Sequence, residues 1–464
     1  MLRGMEELIR EYGMLGAGDK VLCAVSGGAD SICMLHGLYR LREKLGFELA
    51  AAHYNHRLRG KESDHDQAFV EQFIQLCCGQ QRCGDGRLLP AVELYVGSGD
   101  VAEESQRRGT GLEETAREMR YAFLWQAAQE CGANRLATAH TADDNVETVL
   151  LHLGRGTGLQ GMGGIQPVRQ GLIRPMLGTV RRQVEEYLRV QGLPHVEDYS
   201  NKDVTFARNR IRHQVTPVLE DLYPGFARRM AETTRRLRQD EDCLQELARE
   251  RLVRGIMEPG MCQIPVAEIA QAPEAIAIRM VRQLLSTAAG GDERCSARHL
   301  ESVMELCRKD DPSAQVDLPF GMIARREYDQ LWIQKRQEPV ELPRQQISRE
   351  GTYLAADWLV ECQLVLWQGE KSSPYEFYLR ESSSLELRAR QIGDELKLPN
   401  RARKTVKKWM VEEKVPRHLR DTLPVLLLEG QVAAVAGLGV DESAQPQPEQ
   451  KAWHIIIRNG EQKE

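Results

Sequence analysis

The residues best suited to chemistry lie near the start of the chain, in Leu22-Cys23-Ala24-Val25-Ser26-Gly27-Gly28-Ala29-Asp30-Ser31. An apolar run breaks at two glycines and opens an amphipathic segment, the pattern of strand, tight turn and helix. Gly27 and Gly28 remove the side chains that would hold backbone N–H groups away from an anion, and the helix that follows aims its positive dipole end at the same spot. Ser26, Gly27, Gly28, Ala29, Asp30 and Ser31 therefore read as a phosphate cradle, with the two serines adding hydroxyl donors. Asp30 is an odd neighbour for a phosphate unless a cation or a reacting group stands between them. From the glycines alone, an ordinary closely packed strand-to-helix turn would look the same.

Further along, His140 and Asp144 are four apart and Asp144 and Glu147 three apart, so their side chains converge on the first turns of a helix. Two carboxylates there can be dipole partners, or can bind an ammonium or a metal. Arg117 and Arg120 share another helix face, which would ordinarily be solvated. Arg208 and Arg212, one helical turn apart beside Asn209, would make a phosphate clamp. His53, His56 and His65 raise a zinc reading, but their spacing fits no familiar structural site. Gly156–Gly161 is formally G-x-G-x-x-G, yet it follows a helix where a dinucleotide loop follows a strand.

The elements that position these groups alternate. A short helix is expected over Met5–Gly16, a helix over Asp30–Leu45, a second strand over Phe47–Ala52, and a helix over Ser63–Leu76 with Asp66 near its cap. A polar, glycine-rich surface excursion spans Cys77–Arg87. A helix from Gly111 to about Cys131, a strand at Arg135–Ala139 and a helix over Thr179–Gly192 follow. Loops at the carboxyl ends of such strands gather around one site. Beyond Pro217 and Pro224-Gly225 come a long charged helix over Ala227–Ile256, helices at Pro273–Ala289 and Ser296–Arg308, and a hairpin turning at Phe320-Gly321. A polar linker is expected at Glu338–Glu350 and strands from Thr352 onward, ending with Ala452–Ile457.

A length of 464 residues allows roughly three domains at about 150 residues each. No apolar run approaches the roughly 20 residues that span a bilayer, and the first residues are not a signal peptide, so a cytoplasmic protein is expected. Eleven cysteines without framework spacing agree with a reducing compartment. The net charge of −6 argues against nonspecific coating of nucleic acid. Arg388–Arg420, however, holds 11 Lys/Arg against 4 Asp/Glu. Lys404, Lys407 and Lys408 were expected there on adjoining helix positions beside Trp409, as a nucleic-acid surface.

Ser26-Gly27-Gly28-Ala29-Asp30-Ser31 resembles the SGGxDS signature of PP-loop ATP pyrophosphatases. His53-Tyr54-Asn55-His56-Arg57-Leu58-Arg59-Gly60, Gly111–Tyr121, His140–Thr148, Gly154–Gly161 with Ile173–Leu177, and Arg208–His213 each resemble, in order, segments of the tRNA(Ile)-lysidine synthetases within that superfamily. The fold implied is α/β: an N-terminal doubly wound parallel-sheet PP-loop ATPase domain (1–214), a mostly helical middle domain (215–337) and a small basic α+β C-terminal domain (350–464). The activity implied adenylates C2–O of the wobble cytidine in the CAU anticodon of isoleucine tRNA with ATP, and L-lysine then displaces AMP. The resemblance gives Asp30, Arg117, His140, Asp144 and Glu147 catalytic roles, with Asp30 placing Mg²⁺ or the α-phosphate. It places ATP on Ser26–Ser31, His53 and Asn55, and tRNA on Arg155, Arg208, Asn209, Arg212, Lys404, Lys407 and Lys408. A homodimer is entertained. The rival readings are a PP-loop tRNA thiolase, which needs a persulfide cysteine or a Cys-x-x-Cys site, and a noncatalytic tRNA-binding protein.

Overall fold

The computed structural model describes the chain apart from residues 59, 85, 87, 198–206, 292–295, 310, 312–313, 337–341, 356, 416–418 and 460–464. The segment Asp198–Asn201 and the first residues of the expected linker thus lie outside the described residues. Two compact units are formed, Met1–Cys243 and Leu244–Glu464.

The first unit opens with α1 (Leu2–Glu11), β1 (Lys20–Ala24), α2 (Ala29–Leu45), β2 (Glu48–Asn55) and α3 (Lys61–Cys77). A small hairpin, β3 (Gln81–Arg82) and β4 (Leu88–Leu89), precedes β5 (Glu93–Ser98), α4 (Val101–Arg108), α5 (Leu112–Cys131), β6 (Arg135–Ala137) and α6 (Ala142–Arg155). Then come α7 (Leu159–Met162), β7 (Val168–Arg169), β8 (Leu172–Ile173), α8 (Arg181–Gln191), α9 (Ala207–Arg210), a π-helical turn at Ile211–Val215, α10 (Thr216–Leu222) and α11 (Phe226–Leu252), whose residues from Leu244 onward belong to the second unit.

The main sheet runs β5-β2-β1-β6-β8-β7, parallel except for β7. Alternation along the strands feeds two cores. Val21, Cys23, Leu49 and Ala51 pack with Ile32, Leu35 and Leu38 of α2 and Val184 of α8. Leu22, Ala50 and Ala52 pack on the opposite face with Leu124, Ala127 and Ala128 of α5. The chain leaves β1 toward β2 and later returns on its other side as β6. This reversal opens a crevice at the carboxyl ends of the strands.

Several local expectations are corrected. The first helix starts earlier than Met5 and stops at Glu11, before Gly13 turns left-handed at φ +54. The second strand continues to Asn55 because β5 offers partners through Ser98, so His53 and Asn55 stand on the strand itself. Helix α3 starts from Gly60 without a side-chain cap, and Ser63 lies buried within its first turn. The polar stretch after α3 is an anchored hairpin: Cys78 and Cys83 are buried, and the Arg42 guanidinium donates to the Pro90 carbonyl at 2.8 Å.

In the second unit, α12 (Val266–Ala270), α13 (Glu274–Ala289) and α14 (Ala297–Arg308) pack on a five-stranded antiparallel sheet. Its order is β11-β12-β13-β10-β9, with β9 (Ile256–Glu258), β10 (Met261–Pro265), β11 (Gln315–Asp317), β12 (Met322–Glu327) and β13 (Gln330–Lys335). The hairpin turns at Tyr328-Asp329, where Glu327 pairs with Gln330 and Tyr328 takes φ +55; Phe320-Gly321 belongs to a single 3₁₀ turn. Two more antiparallel sheets share a core containing Val360, Phe377, Leu387, Trp409 and Ile455. Gln345–Ile347, inside the expected linker, is an edge strand paired with Leu385–Leu387. Lys404 lies in a two-residue strand ahead of the helix Val406–Glu412, so it does not share that helix with Lys407 and Lys408.

Candidate active site

The crevice is an open cleft of about 2110 Å³, bounded by the ends of β1, β2 and β6, by α5 and α8, and by the π-helical turn with α10. At its floor Gly27 takes φ +93, a conformation that a Cβ would strain, and its carbonyl accepts from the Val196 N–H at 3.0 Å. The serines close the turn: Ser26 N–H donates to Ser31 Oγ at 3.2 Å, and Ser31 Oγ donates to the Gly28 carbonyl at 2.9 Å. Helix α2 starts from Gly28 with no side-chain cap, so its first N–H groups face the cleft as a ready anion site.

Asp30 stands on the first turn of α2, with its two oxygens 3.4 and 3.3 Å from Arg181 Nη1. Burial pushes its pKa up to about 6, against the pull of Arg181 and with a push from Asp144. The folded state therefore binds this proton more readily than the unfolded chain does, and stability rises as pH falls from about 6 toward the ordinary value near 4. Asp30→Asn should raise the melting temperature at pH 7 by about 2–4 °C, since solvent access limits the gain to about 1 kcal/mol. The gain should vanish below pH 4, and scanning calorimetry at both pH values checks this.

The end of β2 is pinned from within. His53 is buried and held neutral by that burial, its Nδ1–H donating to the Val25 carbonyl at 2.8 Å. Asn55 clips the following loop, donating to Asp64 and Gln67 at 3.1 and 3.2 Å and accepting from the Arg57 N–H at 2.9 Å. His56 lines the cleft, its pKa pushed down to about 4 by burial and by Arg120.

Across the cleft, α6 begins in a capping box between Thr141 and Asp144. Asp144 Oδ2 accepts from Thr141 N–H and Oγ1–H at 2.9 and 3.0 Å, leaving Oδ1 to face Arg208 and Arg212 at 3.1 and 3.2 Å. Glu147, with 2% of its side chain exposed, accepts from Arg208 Nε at 2.7 Å and from Arg212 Nε at 2.5 Å. Two carboxylates and two guanidiniums thus form one charge-balanced cluster. The arginines read from sequence as a phosphate clamp are brought onto the carboxylates. His140 is kept neutral, pushed down to about 4 chiefly by burial, and pairs through Nδ1 with Thr138 Oγ1 at 3.0 Å.

The remaining expected site residues are more scattered. Arg117 is exposed at the rim, its guanidinium 5.3 Å from the Tyr121 ring centre, whereas Arg120 lines the cleft itself. Arg155 is exposed at the end of α6, and Asn209 sits in α9. In the second unit Lys404 is held by Glu412 at 2.7 Å and lies over Trp409, while Lys407 and Lys408 are exposed. Sequence reasoning missed Arg181, and also Asp143, whose Oδ2 accepts the Arg181 N–H at 2.7 Å. No local spacing signals that contact. The Thr141–Asp144 box, in contrast, has a readable i, i+3 signature. Among the described residues, no group of three or more His, Cys, Asp or Glu side chains is arranged to hold a metal ion.

A parallel sheet with a glycine-serine turn at its switch point, opening on an anion-ready helix end, defines a PP-loop nucleotide-binding domain. Residues 3–219 match the family described as PP-loop domain, residues 265–332 the TilS substrate binding domain, and residues 385–457 the TilS substrate C-terminal domain. The chain is 33% identical to the tRNA(Ile)-lysidine synthase of Geobacter sulfurreducens, over 99% of this chain and 97% of that protein. It is 31% identical to that of Dehalococcoides mccartyi over 95% of each, and 30% identical to that of Clostridium perfringens over 96% of each. The chain belongs to the tRNA(Ile)-lysidine synthase family.

Proposed function

We infer that this chain joins L-lysine to C2 of the wobble cytidine in the CAU anticodon of isoleucine tRNA, converting ATP to AMP and pyrophosphate. The observation that carries this reading is the pairing, across one cleft, of a glycine-serine phosphate turn with a carboxylate cluster suited to an ammonium. The cytosine C2 oxygen attacks the α-phosphorus of ATP held on Ser26–Ser31, and pyrophosphate leaves. The lysine ε-amine then attacks C2, and AMP leaves with the former C2 oxygen. Adenylation is needed because that oxygen is otherwise a poor leaving group.

Asp30 sits at the mouth of the phosphate turn with Arg181 against it, which fits a carboxylate that shares Mg²⁺ with substrate phosphates. When bound, the ion would neutralise phosphate charge. We assign to Arg181, which lines the cleft, and to Arg117 the addition of positive charge toward the phosphates. Asp144 and Glu147 would orient the lysine ammonium. Because two guanidiniums already balance them, the incoming cation must displace one. We assign His140, beside Asp144, a part in moving a proton from the amine.

We assign catalysis to residues 1–214 and tRNA recognition to 215–337 and 350–464. No described helix is long and apolar enough to cross a membrane, and a cytoplasmic setting fits a tRNA substrate. No cysteine is among the residues lining the cleft, which disfavours persulfide chemistry there. Sedimentation would measure the homodimer. Mass analysis of isoleucine tRNA after incubation with the protein, ATP and labelled lysine tests the reaction; an unmodified cytidine would reject it. Charge reversal of the exposed Lys407 and Lys408 should weaken tRNA binding and flatten its log–log salt slope by up to about 2, and filter binding across a salt series reads both.

A further inference from the structure

Helix α5 and the segment after β8 gather three arginines around Tyr121, and Arg120, Tyr121 and His56 line one corner of the cleft. Arg117 and Arg120 place their guanidinium carbons 5.3 and 5.5 Å from the centre of the same Tyr121 ring. Arg174, just after β8, is buried at 7% exposure and near enough to feel both Tyr121 and Arg117. Among the described residues no carboxylate pairs with any of the three; the one acceptor given to them is the Gln166 carbonyl, on Arg174 Nη1 at 2.5 Å. Three other arginines behave differently, since Arg181, Arg208 and Arg212 all have acid partners.

Three buried polar atoms of this region have no hydrogen-bond partner among the described residues: Tyr121 Oη, Arg174 Nε and His56 Nδ1. His56 lies close enough to Arg120 to feel its charge. Clustered cations and unsatisfied donors are costly to bury unless an anion is to be received. The corner is also separate from the phosphate turn. That turn opens α2, which packs on one face of the sheet, while α5 packs on the other. ATP brings its phosphates to the turn, so a second anion must come with the other substrate.

We propose that Arg120 and Tyr121, with the buried Arg174 adding positive charge beside them, seat a backbone phosphate of the RNA strand beside the target base, fixing the register in which that base enters the cleft. This rests on the reading of tRNA as the substrate. A phosphodiester supplies two unesterified oxygens, enough to accept from the Tyr121 hydroxyl and from a guanidinium at once.

The test uses the full chain, isoleucine tRNA in a salt series, and a nonhydrolysable ATP analogue. Tyr121→Phe removes a hydroxyl that has no partner in the free protein, so its melting temperature should hold. Its tRNA affinity should fall about tenfold. Arg120→Gln should weaken tRNA binding and lower the salt slope by about 1. Both variants should bind the ATP analogue as the parent does. An unchanged tRNA affinity in Tyr121→Phe together with an unchanged slope in Arg120→Gln would overturn the seat, and so would losses confined to the ATP analogue. If the parent chain failed to bind isoleucine tRNA, the substrate reading would fall and the seat with it; parent binding with unaffected variants would reject the seat alone.

Discussion

Asp30→Ala should lower ATP-dependent modification of isoleucine tRNA by about 10²–10³ while leaving tRNA affinity within about twofold. The asymmetry follows from position. Asp30 stands on the first turn of α2, at the mouth of the glycine-serine turn, and its only ion-pair partner among the described residues is Arg181. Removing it takes away the carboxylate that would place the cation and frees Arg181 to swing, but touches neither the rim arginines nor the second unit. Counting AMP released in the presence of tRNA measures the first quantity and filter binding the second. Activity close to the parent's would remove Asp30 from the reacting centre.

Glu147→Gln should act on both lysine use and stability. Glu147 is almost fully enclosed and accepts from two guanidiniums, so the amide leaves two half-buried positive charges with one acid fewer beside Asp144. Breaking a buried pair from one side costs about 3–5 kcal/mol, and the residual solvent access of Arg208 and Arg212 brings this nearer 2–3. That corresponds to a fall in melting temperature of about 4–12 °C. The KM for lysine should rise about tenfold or more, since an ammonium loses a charged acceptor. Thermal melts and lysine titrations at saturating ATP measure the two effects. A second change, Arg212→Met in the Glu147→Gln background, should recover part of the lost stability by lowering the excess of positive charge around Asp144.

The alternation of strand and helix was legible because apolar runs fed from both faces look different from amphipathic helices. The glycine-serine turn was legible because its chemistry is local. The carboxylate cluster was half legible. The i, i+3 and i, i+4 spacings of His140, Asp144 and Glu147 predict one shared helix face; the structure puts Asp144 and Glu147 on the first turns of α6 and leaves His140 just ahead of the Thr141 cap. What completes it, Arg208 and Arg212, comes from more than 60 residues later, and no pattern in either segment encodes that pairing. The five-stranded sheet of the second unit was visible only as one hairpin, because β9 and β11 have three residues each and too few alternations to register. Lys404 was drawn onto a helix by its lysine neighbours, whereas Thr405 caps that helix by accepting from the Lys408 N–H.

One buried amide sets the size of the working module. Asn145 donates to Thr234 Oγ1 at 3.0 Å and accepts from the Ile165 N–H at 2.8 Å, and Arg238 donates to the Gly163 carbonyl at 2.6 Å. A fragment cut at residue 219, where the match to the nucleotide-binding family stops, would keep the whole glycine-serine turn but lose both anchors from α11. The glycine-rich loop after α6 would then lose the Arg238 contact at Gly163. The smallest piece worth expressing by itself is therefore longer than the piece that homology recognises, and has to run past Arg238.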